Sequence, residues 1–156
     1  MEGAPLPNAI EWTTPLAKSR LNIYGVIPPE LNTWETDFGE ILDLDTTGIV
    51  LWWHRNPPRK DWSVSVYAPG AQYDYYPDFI IGVNGRSTPG GVLLAETKHA
   101  FNTRDSMAKA RAEHKAYGRV MMLTLDNDDW WTLQYDISRD KVVEDQRLLS
   151  SMMARF

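Results

Sequence analysis

The chain contains no cysteine, so it forms neither a disulfide nor a thiolate zinc site. That is compatible with a reducing compartment. No run approaches the roughly eighteen apolar residues of a membrane span, and the opening MEGAPLPNAIEW lacks the basic-then-apolar layout of a signal peptide. A soluble intracellular protein is expected. The three histidines, His54, His99 and His114, are too scattered for a zinc cluster. Also missing are a G-x-S-x-G elbow, a Walker-type G-x-x-x-x-G-K-S/T and an H-E-x-x-H. The chain therefore carries no visible ATPase of its own.

What is present is a folded composition. Its 156 residues are 43% hydrophobic, with seven Trp and seven Tyr, enough for one domain with a sizeable core. The net charge of −5 points away from a general nucleic-acid coat, since phosphate affinity comes from Lys and Arg. A groove facing phosphates can still be locally basic, and a partner can deliver the substrate.

Residues 1–30 hold five of the ten prolines and one strand-like run, Leu21 to Tyr24. They read either as an arm or linker, or as a strand packed on the domain that follows over residues 31–156. From Asn32 or Thr33 as N-cap, Trp34, Phe38, Ile41 and Leu42 keep helical spacing, which predicts a helix over 33–44. Ile49 to Trp53 and Trp62 to Tyr67 read as strands. After Asn102 or Thr103 a helix is expected over about 104–117, stopped by Gly118. Val120 to Leu125 and Trp130 to Tyr135 read as strands. The tail from Asp140 reads as a helix with Val143, Leu148, Leu149 and Met152 as its apolar face. This order favours an α/β fold with a central mixed sheet flanked by helices.

The stretch from Tyr75 to His99 organises the rest. Two apolar runs are joined by Asn84-Gly85, a two-residue hairpin signal, and by the wider loop Ser87 to Gly91. Pro77-Asp78 opens the first run and Glu96-Thr97-Lys98 closes the second. Pairing them brings two carboxylates and a lysine to one end of an apolar ribbon, where charges are costly without a partner. A metal ion with a polyanionic substrate is the usual partner.

Pro77-Asp78, seventeen residues, then Glu96-Thr97-Lys98 resembles the PD-(D/E)XK signature of the restriction-endonuclease-like nucleases. Trp52 to Pro57, Tyr75 to Ile80 and Leu94 to Lys98 resemble the C-terminal nuclease domain of type III restriction subunits and related helicases. The likeness runs from about Leu31 to about Lys115. It implies a restriction-endonuclease-like core and Mg²⁺-dependent phosphodiester hydrolysis, with Mn²⁺ able to substitute. It also implies DNA as substrate, a helicase or ATPase on another domain or protein, and a bacterial or phage-infected cytoplasm.

On the same resemblance, Asp78 and Glu96 are metal ligands, joined by the Thr97 carbonyl and by Glu35 on the first helix. Lys98 orients or deprotonates the attacking water, or stabilises charge on the phosphorane. Glu40 lies about 140° around the helix from Glu35 and serves a different face. Each residue also has a plainer use. Glu35 can stabilise the helix dipole, Asp78 can be a turn residue, and Glu96 with Lys98 can be a surface pair. His54 and Arg55 either contact phosphate or close the sheet edge. Lys109, Arg111 and Lys115 are either a solvated helix face, with Lys109 pairing Glu113, or phosphate contacts. Tyr73, Tyr75, Tyr76 and Trp130 either pack or stack on unpaired bases. The alternative to an enzyme is a nuclease-like module that binds nucleic acid or protein without cutting.

Overall fold

The computed structural model describes residues 16–70, 74–84 and 91–147. Helix α1 spans Thr33–Asp43, and its Asn32 cap accepts a hydrogen bond from the Glu35 amide at 2.8 Å. That bond satisfies one of the orphan donors of the first turn. Strands β1 (Val50–Arg55), β2 (Phe79–Val83) and β3 (Val92–Thr97) follow, then helix α2 (Arg104–Ala110). A short pair, β4 (Glu113–His114) and β5 (Gly118–Arg119), precedes β6 (Met121–Asp126), β7 (Asp129–Asp136) and β8 (Lys141–Arg147). The main sheet has the order β1-β2-β3-β6-β7-β8, parallel only between β3 and β6. The result is an α/β protein with a mostly antiparallel mixed sheet and few helices. Among the described residues no helix is long and apolar enough to cross a membrane.

Alternation along the strands builds two apolar layers. On one face α1 packs Phe38 and Leu42 against Trp53, Phe79, Ile81, Leu123 and Trp130. On the other, Val66, Tyr75, Ile80 and Leu94 meet Ala108 and Ala112. Gly39 lets α1 approach closely, because a Cβ there would lie 2.8 Å from the Trp53 ring. Trp53 is fully buried and its indole N–H donates to Asp43 at 2.9 Å, so the ring has nowhere to move. Gly39→Ala is expected to destabilise the fold by about 1–3 kcal/mol in urea titration. Helix propensity alone would make the same change stabilising.

Three expectations change, and of the two readings for the N-terminal stretch the packed one describes residues 16–30. Residues 16–30 are not a free arm: the Trp53 amide donates to the Leu21 carbonyl and the Ile23 amide to the Trp53 carbonyl, both at 3.1 Å. They cover the outer edge of β1. The expected strand Trp62 to Tyr67 reduces to one bridge, Val66 with Tyr75. Fully buried Asn56 takes the place of a neighbouring strand, its side chain bonding both the N–H and the C=O of Val64.

The helix expected to reach residue 117 ends at Ala110. His114 Nδ1 accepts from the Ala116 and Tyr117 amides at 3.0 and 3.3 Å, and Gly118 takes φ +77°. A side chain that bonds local amides competes with a helix in this way. The expected tail helix is instead β8. Asp136 accepts from Ser138 and Arg139, and Asp140 takes φ +50°, which turns the chain back. Period two then buries Val142 rather than Val143. Leu148, Leu149, Met152 and most of the loop after Asn84 lie outside the described residues.

Candidate active site

The sheet topology carries Asp78 and Glu96 to the same end of adjacent strands. Antiparallel pairing sets Phe79 opposite Ala95, so the residue before β2 meets the end of β3. Asp78 Oδ2 accepts from the Thr97 amide at 3.1 Å and from its hydroxyl at 3.4 Å. Asn56 fixes the approach, donating its amide to the Asp78 carbonyl at 2.9 Å and its side chain to the Pro77 carbonyl at 2.8 Å. Lys98 leaves β3 with its amide bonded to the Leu123 carbonyl at 2.7 Å, a contact that depends on parallel pairing with β6.

Glu96 is 7% exposed, and its Oε2 has no hydrogen-bond partner. Lys98 Nζ stands 3.9 Å from that oxygen, near enough for attraction and too far for a bond. Burial, reinforced by Asp78 and opposed by Lys98 and Lys109, pushes the Glu96 carboxyl up to about 7. Glu35 lies 3.8 Å from Arg55 with its own Oε2 unpartnered. Its pKa is raised by burial and by Asp78, against the pull of Arg55. Arg55 also reaches Asp78 Oδ1 at 3.1 Å. Asp78 is thus the shared member of two arrangements, one with Arg55 and Glu35 and one with Glu96 and Lys98.

Two buried carboxylate oxygens without partners suit an oxygen-seeking divalent ion, because leaving them unmatched is costly. Those oxygens belong to Glu35 and Glu96; Asp78, beside Glu96, has Oδ1 on Arg55 and Oδ2 on the Thr97 amide. Among the described residues no group of three or more His, Asp or Glu side chains converges on one point. Arg55, rather than another carboxylate, stands between Glu35 and Asp78.

Several expected contacts move. His54 is 1% exposed, with Nδ1 bonded to the Arg55 carbonyl at 2.8 Å, so it is closed off from a phosphate in solvent although the register sets it on the Ile80 and Leu94 face. Burial lowers its pKa and keeps the ring neutral. Arg55 is a clamp on the carboxylates. Lys109 pairs with Asp105 at 3.2 Å, not with Glu113, which pairs with Arg119. Arg111 lies over the Tyr135 ring at 4.9 Å. Lys115 sits in the β4–β5 turn, so it shares no helical stripe with Arg111. His99, though exposed, stacks on Trp34 with ring centroids 3.6 Å apart. Tyr75 and Trp130 are core residues, which removes them as platforms for bases.

Sequence reasoning gave no role to Asn56, which precedes Pro57-Pro58. Its only signal was an amide side chain at the end of an apolar strand. Comparison of the chain with protein-family models, with curated proteins and with solved structures gives no match. The functional reading rests on the residues themselves.

Proposed function

We propose that this chain is a divalent-metal-dependent nuclease of the restriction-endonuclease-like kind, hydrolysing phosphodiester bonds in DNA. One observation carries the proposal: Glu96 is buried beside Asp78, its Oε2 has no hydrogen-bond partner, and Lys98 Nζ is 3.9 Å away. Glu96 has little structural value as built, because it is desolvated beside a second carboxylate with one oxygen unmatched.

Asp78 and Glu96 would hold the ion, with the Thr97 carbonyl as the further donor that the resemblance implies. Bound Mg²⁺ or Mn²⁺ supplies charge neutralisation at the phosphoryl oxygen and a water of lowered pKa. Lys98 Nζ would orient the attacking water, take its proton, or offset charge on the phosphorane. Arg55 balances Asp78 and Glu35, and would have to release Asp78 for that carboxylate to hold a cation. Glu35 restrains Arg55. In hydrolysis the water oxygen would form the new bond to phosphorus as it loses a proton, and the bond to the leaving deoxyribose oxygen would break, that oxygen taking a proton from solvent. A helicase or ATPase partner would present the strand, which offsets the weak pull of an acidic chain.

Circular single-stranded and supercoiled double-stranded DNA, incubated with Mg²⁺, Mn²⁺ or EDTA, test this directly. Nicking or linearisation that requires the metal is expected. No cutting of circles, linear DNA or RNA with either ion would overturn it. The Arg55 occupancy beside Asp78 favours the competing reading, a module that binds without cutting, which such a result would leave standing.

A further inference from the structure

A second feature borders the carboxylates. A groove of about 770 Å³ is lined by Pro58, Arg59, Asp74, Tyr75, Tyr76, Asp105 and Lys109. That is the size range of pockets for small organic ligands. Its floor is already committed: Lys109 pairs with Asp105 and lies 4.9 Å over the Tyr75 ring. The groove adjoins the proposed centre through the backbone, since Arg59 lies three residues after Asn56, which bonds the Pro77 and Asp78 carbonyls. Tyr76 lies two residues before Asp78 in the chain.

The walls are uncommitted. Among the described residues the half-buried Tyr76 ring has no ring partner, and exposed Arg59 and Asp74 have no ion pair. Arg59 adopts φ +60°, a conformation uncommon outside glycine. Ser63 ties the loop that carries it, accepting from the Lys60 amide at 3.0 Å and donating to the Pro57 carbonyl. A free aromatic face, a free guanidinium and a free carboxylate thus share one groove. These match the three parts of a nucleotide: a base face to stack, a phosphate to pair, and base N–H groups to donate.

We propose that this groove holds an unpaired nucleotide flanking the bond that is cut. Tyr76 stacks on its base, Arg59 pairs with a phosphate, and Asp74 accepts from the base edge. A base inside a duplex is already stacked on both sides and offers Tyr76 no face. The substrate class is therefore single-stranded nucleic acid or a single-stranded end. This rests on the nuclease reading for its position, but the groove can be tested without cleavage.

Fluorescence anisotropy of the full chain in EDTA, with a labelled twelve-nucleotide single strand and the matching blunt duplex, is the test. The single strand is expected to bind about tenfold or more tightly than the duplex. Tyr76→Ala should lose about tenfold in affinity for it, one stacking contact, while Tyr76→Phe retains it. Arg59→Ala, on an exposed loop that leaves the fold intact, should weaken binding and lower the salt slope by about one. Equal affinity for duplex, wild-type affinity in both alanine variants, or no saturable binding would each overturn the proposal. If the variants bind normally while Mg²⁺-dependent cutting persists, the groove is refuted and the hydrolase stands. If binding behaves as expected without cutting, the hydrolase is refuted and the groove stands.

Discussion

Lys98→Ala is expected to lower metal-dependent DNA cleavage by roughly 10³-fold while leaving the thermal midpoint almost unchanged. The size follows from removing a group that either moves a proton or stabilises charge in the transition state, each worth about 10²–10⁴. The fold is spared because the residue's structural contact is its backbone amide on the Leu123 carbonyl, which alanine keeps. Its side chain makes one long ion pair, to Glu96 at 3.9 Å, and the midpoint is read near pH 5, where protonated Glu96 has no charge left to pair. Asp78→Ala is a less clean test. It also frees the Thr97 amide and strips Arg55 of a partner, so lost activity would be mixed with lost stability. Single-turnover cleavage of a nicked-circle assay, read beside the melting curve, separates the two. Cleavage by the alanine variant at the wild-type rate would remove Lys98 from the chemistry.

The second large effect is on stability without metal. The Glu96 carboxyl rises from an ordinary 4.5 to about 7 in the folded chain, chiefly by burial. A group with a raised folded pKa favours the fold while protonated, and that advantage is lost as pH climbs through 7. Ionised Glu96 therefore costs the metal-free protein on the order of 3 kcal/mol at pH 8 relative to pH 4. Glu96→Gln keeps the shape and removes the charge. In EDTA the variant should match wild type near pH 5 and exceed it increasingly up to pH 8, by urea unfolding at each pH. Subtracting the two curves cancels His54, whose lowered pKa works in the opposite direction. Mg²⁺ should raise wild-type stability at pH 8 and leave Glu96→Gln nearly unmoved, because a ligand that binds only the folded state stabilises it. A constant offset between the two proteins across this pH range would show that Glu96 is not desolvated as the structure has it.

Local patterns in the chain were enough for some features. Helix α1 was legible because its cap, first-turn acid and apolar spacing all agree over one short window. So were β2 and β3, each an apolar run bounded by Pro77-Asp78 or Glu96-Thr97-Lys98, and with them the candidate catalytic residues. Elements whose form depends on distant partners were not legible. The helical spacing after Asn102 persisted past Ala110, yet His114 capped amides locally and formed a turn. The tail pattern fitted a helix as well as a strand until the Asp136 turn laid it against β7.

The residue types at the site were likewise determined by the sequence alone: two carboxylates, a lysine and a nearby arginine. Which of them meet was decided by tertiary structure. Parallel pairing of β3 with β6 anchors Lys98, Asn56 draws Pro77-Asp78 to the end of β1, and Arg55 turns inward to Asp78 instead of outward to phosphate. His54, one position earlier, is carried to the opposite face and buried. Alternation along a strand assigns the two residues to different faces, and the packed layers decide what each meets: Arg55 lies on the Phe79 and Ala95 face that α1 covers, near Glu35, and His54 on the Ile80 and Leu94 face that Glu96 shares.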